Sequence, residues 1–161
     1  MSILESEVSQ LYDMLASKVE QPLIKSLLLY IAVDSKKHAV TLKTVSESIA
    51  KSEVALHECE KMLGEIWHVS SDFHKEISAI KRISEEELTE FAERLTMLEG
   101  LFGEEYHMFV QLKTLTLISK EISQLYNVNI EQLKSVFSLI IEDEEHHREI
   151  LGKIKEAIRK M

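Results

Sequence analysis

Apolar residues recur along this chain at alternating spacings of three and four, the pattern of helices that bury one face. The clearest run is Leu133, Phe137, Ile140, Glu144, His147, Leu151, Ile154 and Ile158. Every position in it is apolar except Glu144 and His147, which stand one turn apart in the middle. A carboxylate turned into a core costs several kcal/mol unless something pairs with it, and a metal ion is one such partner.

The same periodicity predicts helices over about 2–19, 22–50, 53–81, 85–126 and 130–160. The first has the inward stripe Glu5, Val8, Tyr12, Leu15, Val19. The second has Ile24, Leu28, Ile31, Ser35, His38, Leu42, Val45, Ile49, and the third Leu56, Cys59, Leu63, Ile66, Ser70, Phe73, Ile77, Ile80. In the fourth the stripe reads Met97, Leu101, Glu104, Met108, Gln111, Leu115, Ile118, Ile122, Leu125. Pro22 suits a first helical turn, with Gln21 or Glu20 ahead of it. Ser84 and Glu87 have the spacing of a capping box. Gly100 and Gly103 are expected to kink or break the fourth helix near 100–103. Asn127 and Asn129 form the next turn, and Asn129 can cap the last helix. One proline and four glycines in 161 residues leave few places to interrupt a helix, so the expected fold is all-α, one domain over 1–161.

Charge and composition narrow the function. With 45% hydrophobic and 29% charged residues the chain reads as a soluble globular protein. A net charge of −9 argues against nucleic acid and against anionic membranes as partners. The single cysteine, Cys59, rules out a disulfide framework, a Cys-x-x-Cys pair and a cysteine zinc site. No signal peptide opens the chain and no apolar run is long enough to span a bilayer, so the expected location is the cytoplasm.

The second and last helices form an internal repeat. An offset of 109 lays His38 on His147, Lys25-Ser26 on Lys134-Ser135, Ile31 on Ile140, Asp34 on Asp143 and Leu42 on Leu151. Any two amphipathic helices share apolar slots, so the matched polar interruptions carry the weight. Those slots hold Ser35 and His38 in one copy, Glu144 and His147 in the other.

Glu-x-x-His puts an oxygen and a nitrogen ligand on one helix face. Two such helices, with a further carboxylate from each of two others, bind two iron or manganese ions. Glu65/His68, Glu104/His107, Asp143/His146 and Glu144/His147 all have the spacing, so burial discriminates. Glu65 and His68 share a face with Lys61, Asp72 and Lys75, which reads as solvated; His57, His74 and His146 also read as exposed. Glu144 and His147 read as ligands and His38 as their counterpart. Reversal of the chain near residue 20 brings Glu5 level with His38, and reversal near 128 brings Gln111 level with Glu144. Glu104, two turns away on the same stripe, and Asp34, beside the His38 face, are further candidates. Each of these has an alternative reading as a rim residue in a surface ion pair.

These residues resemble the ferritin-like superfamily, and its rubrerythrin branch most of all. Glu5 followed by Tyr12 and Leu15-Ala16 is similar to that family's first helix. Ile31-Ala32-Val33-Asp34-Ser35-Lys36-Lys37-His38-Ala39 is similar to its second, and Asp143-Glu144-Glu145-His146-His147 with Leu151 to its last. The resemblance covers about 1–50 and 104–160; the segment 51–103 is longer than the usual crossover. It implies a four-helix bundle with extra helices in the crossover, and metal ligands at Glu5, His38, Glu144 and His147. It also implies iron or manganese, one or two ions, and oxidation of ferrous iron or reduction of peroxide. Ser35 stands where the family has a glutamate, and Gln111 where a third carboxylate is expected; Asp34 or Glu104 can compensate. No rubredoxin-like cysteine cluster is present, so electrons would come from an external donor. A homodimer is the expected assembly. The alternative is a non-catalytic binding or structural module with a degenerate metal site.

Overall fold

The computed structural model describes residues 1–49, 56–116 and 130–160. Among them every regular element is a helix. These are α1 (Ser2–Lys18), α2 (Pro22–Ile49), α3 (Leu56–Leu63), α4 (Glu65–Ala79), α5 (Glu85–Thr116) and α6 (Ile130–Ile158).

Local chemistry explains several boundaries. Pro22 opens α2, and the Gln21 side chain accepts a hydrogen bond from the Ile24 N–H at 2.6 Å. At the start of α5 the Ser84 N–H donates to Glu87 at 2.8 Å, while the Glu87 N–H donates to Ser84 Oγ at 3.2 Å. This reciprocal pair is the expected capping box. The single helix expected over 53–81 is instead two, because Gly64 takes φ of 53°. That positive-φ conformation ends α3, and glycine reaches it without the strain a side chain would bring.

Of the kink or break expected near 100–103, no break is found: α5 runs unbroken through both glycines. Each costs about 1 kcal/mol relative to alanine, and packing along α6 offsets this. The Gly103 side of α5 lies against Glu144, where an added Cβ would sit 3.9 Å from the Glu144 Cβ. Residues 117–129, including the turn and cap assigned to Asn127 and Asn129, lie outside the described residues.

Two antiparallel pairs build the core. α1 packs along α2, α5 along α6, and α2 meets α6 across the middle. α4 fills the side between α1 and α5. Leu4, Val8, Leu11 and Leu15 of α1 meet Leu95, Leu98 and Phe102 of α5 and Leu151 and Ile154 of α6 in one buried cluster. Each such side chain stabilises the fold by about 1.5–3 kcal/mol when fully buried.

The α1 stripe is buried throughout, as are the described members of the α6 stripe from Phe137 to Ile158. On α5 the expected stripe is corrected. Met97 is 72% exposed and Leu101 38%, and the buried face is Leu88, Phe91, Ala92, Leu95, Leu98, Glu99, Phe102 and Tyr106. No described helix is long and apolar enough to cross a membrane.

Candidate metal centre

Five ionisable side chains meet in the core. Glu5 comes from α1, His38 from α2, Glu99 from α5, and Glu144 and His147 from α6; each is at most 2% exposed. Each lies on a buried helix stripe, so the packing that buries its apolar neighbours also turns it inward.

They form two overlapping groups with converging donor atoms. Glu5, His38 and Glu144 make one, and Glu99, Glu144 and His147 the other. Within each group one donor atom per residue lies within 4.8 Å of the others. Glu144 belongs to both. Its Oε1 is 3.1 Å from His38 Nδ1, and its Oε2 is 3.7 Å from His147 Nδ1. His38 Nδ1 also lies 3.6 Å from Glu5, and His147 Nδ1 lies 3.2 Å from Glu99. The two imidazole centroids are 5.9 Å apart.

A pseudo-twofold relates the halves. The 109-residue offset seen in sequence pairs α2 with α6. A second offset, 94, pairs α1 with α5, laying Glu5 on Glu99 and Tyr12 on Tyr106. The contacts obey it. Tyr12 donates a hydrogen bond to Glu99, and Tyr106 donates one to Glu5. The outer nitrogen of His38 lies 3.0 Å from Asp143, and that of His147 lies 3.5 Å from Asp34. Lys37 joins the two aspartates, with Nζ 2.9 Å from each. Carboxylates behind the outer nitrogen of a ligating histidine fix its orientation and raise its basicity.

The electrostatics suit a cation. Burial pushes Glu99 up, the Glu144 charge adds to this, and its pKa reaches about 8 despite His147. Burial also opposes the charge on Glu144, but the two imidazoles beside it hold it below the ordinary range. His38 and His147 are opposed by burial too, yet the surrounding carboxylates raise both to about 10. Burial drives the Tyr12 and Tyr106 hydroxyls upward, and the nearby carboxylates add to it, so both stay protonated donors.

The donor set fits a metal. His38 Nδ1 and Glu144 Oε1 are buried and face each other, yet neither makes a hydrogen bond of acceptable geometry. Three carboxylates and two imidazoles are borderline-hard donors, suited to iron, manganese or zinc.

Of the residues expected from sequence, Glu5, His38, Glu144 and His147 come together. Asp34 does not join either group; it stands behind His147. Asp143 is partly covered and stands behind His38. Glu104 is exposed and belongs to neither group. The Gln111 side chain lies outside the described residues. A reversal near 128 would set Gln111 opposite Glu144, but Gly103 is there instead. Glu99, from that same α5 face, supplies the carboxylate that sequence reasoning missed. Two signals point to it: it interrupts the stripe Leu88, Leu95, Leu98, Phe102, Tyr106, and it stands to Tyr106 as Glu5 stands to Tyr12.

No protein family, curated protein or solved structure matches this chain.

Proposed function

We propose that this chain is a ferritin-like four-helix bundle whose centre holds two iron or manganese ions, and that it serves as an oxidoreductase acting on ferrous iron or peroxide. The observation that carries the reading is the shared carboxylate: Glu144 touches both histidines from the middle of a paired set. Glu5 and His38 would hold one ion, Glu99 and His147 the other, with Glu144 between them.

Such ions supply one-electron redox change and Lewis acidity when bound. The chain's own residues supply the rest. Tyr12 and Tyr106 orient the terminal carboxylates Glu99 and Glu5. Asp143 and Asp34 stand behind the histidines. Leu98, Phe102, Ile140 and Leu151 belong to the apolar shell that keeps bulk water out. An external protein would donate electrons.

A second reading has its own support. His38 and His147 lie close enough to Glu5, Glu99 and Glu144 to pair with them directly, and Ser35 removes one carboxylate from the set. That favours a non-catalytic bundle held by a buried polar network. Thermal melting with and without a chelator separates the two. A bound ion raises the melting temperature by linkage, so chelation should lower it in wild type and leave Glu144→Ala, which loses a ligand from both groups, unchanged. A wild-type protein, supplied with iron or manganese, that melts at the same temperature with and without chelator supports the polar network instead.

A further inference from the structure

The pseudo-twofold has one defect. Position 144 on α6 holds the shared glutamate, and its counterpart on α2, by the 109-residue offset, is Ser35. Ser35 is 1% exposed and therefore faces the same interior. Its hydroxyl donates to the Ile31 carbonyl of its own helix at 3.1 Å, so that hydrogen is directed away from the centre. Every other buried ligand and the group that holds it is duplicated: Glu5 with Glu99, His38 with His147, Tyr12 with Tyr106, Asp34 with Asp143. Among the buried ligands the shared carboxylate alone is present once.

Charge makes the defect matter. Two divalent ions bring four positive charges, and the carboxylates Glu5, Glu99 and Glu144 bring three negative ones. An uncompensated charge in a buried site costs several kcal/mol. Water can serve as a neutral ligand there but carries no charge. A glutamate at 35 would supply both the volume and the charge, and serine supplies neither.

We propose that the face of the centre beside Ser35 is a binding site for one small monoanion with two donor atoms, of the size and charge of a free carboxylate, in the position a second shared glutamate would occupy. The inference rests on the two-metal reading above. Symmetry defines the site: the anion would face His38 and His147 from α2 as Glu144 faces them from α6. The two halves of the centre thereby become dependent on an outside ligand, which makes it a sensor of small anions or a place where such an anion is the substrate.

The test uses protein reconstituted with ferrous iron and oxidised, with azide as the probe and formate as its competitor. Iron content is measured on the same samples. The expected result is an azide-dependent visible absorption band in wild type that formate displaces. Ser35→Ala should bind azide within about twofold of wild type. Ser35→Glu should keep its iron and bind azide at least tenfold more weakly. Should Ser35→Glu fail to fold, Ser35→Asp supplies a shorter carboxylate, with weakening in the same direction. Azide affinity unchanged in an iron-replete carboxylate variant overturns the proposal, as does wild type that holds two irons and binds no azide. Wild type that takes up no iron overturns the two-metal reading itself, and the anion site with it.

Discussion

Tyr12 on α1 reaches across the core to donate its hydroxyl hydrogen to Glu99 on α5, and neither residue is more than 1% exposed. The reverse contact runs from Tyr106 on α5 to Glu5 on α1. Each tyrosine thus holds the carboxylate that belongs to the other helix, which ties the two hairpins together at the site itself.

Tyr12→Phe removes the donor and leaves a buried carboxylate oxygen without a partner. The expected cost to the metal-free protein is about 1–3 kcal/mol. Urea unfolding checks it, and Tyr106→Phe should fall within about 1 kcal/mol of the same value, because the two contacts are related by the pseudo-twofold. A loss confined to one of the two would show that the halves are not energetically equivalent.

Glu99→Gln removes one ligand from one group and leaves Glu5, His38 and Glu144 intact. Bound metal should drop from about two ions per chain to about one, read by elemental analysis. Glu104→Gln is exposed and should change stability by less than about 0.5 kcal/mol with no change in metal content.

The contrast between Glu99 and Glu104 shows what the sequence could reveal. Glu144 and His147 were legible because they interrupt an otherwise uniform apolar stripe. Glu5 and His38 followed from a short turn, where the register across a hairpin is nearly fixed by the chain. The α5 register was not fixed in this way. Thirteen residues, 117–129, separate α5 from α6 in sequence, too many for chain length to fix the register, and Gly103 rather than Gln111 is opposite Glu144. α5 also carries apolar residues on more than one face, with Met97 and Leu101 exposed, so periodicity alone selects the wrong stripe. The break at Gly64 depends on a single backbone angle, to which a hydrophobic pattern is blind.

The metal-free protein should lose stability as pH rises. Burial opposes the charged form of both histidines, but the carboxylates around them win and raise both to about 10, above the ordinary 6.5. A raised folded value contributes stability that is fully present below the unfolded pKa and disappears as pH climbs through the folded one. Glu99, raised to about 8 by burial and by the Glu144 charge, acts in the same direction. Glu144, held low, acts oppositely and favours the folded state above the ordinary carboxylate range. The melting temperature without metal should therefore fall by at least about 5 °C between pH 6.5 and 10. Calorimetry across that range checks it, and a flat profile contradicts the charge assignments.

Metal loading should release protons, because ligands must give them up before they bind. At pH 7 His38 is protonated, and the facing His147 and Glu99 hold at least one proton between them. Filling both positions should expel at least about two protons per chain. Titration calorimetry in buffers of different ionisation enthalpy measures this number directly. Release of none would mean that the ions bind elsewhere.

The central claim is that Glu144 is shared by two metal ions, and the amount of iron bound per chain tests it most directly. After anaerobic addition of ferrous iron and removal of excess, wild type should retain about two ions per chain. Glu144→Ala, which takes one ligand from both groups at once, should retain less than about a tenth of that amount while keeping its helical circular dichroism. Wild type that retains no iron, or an alanine variant that retains as much as wild type, contradicts the account.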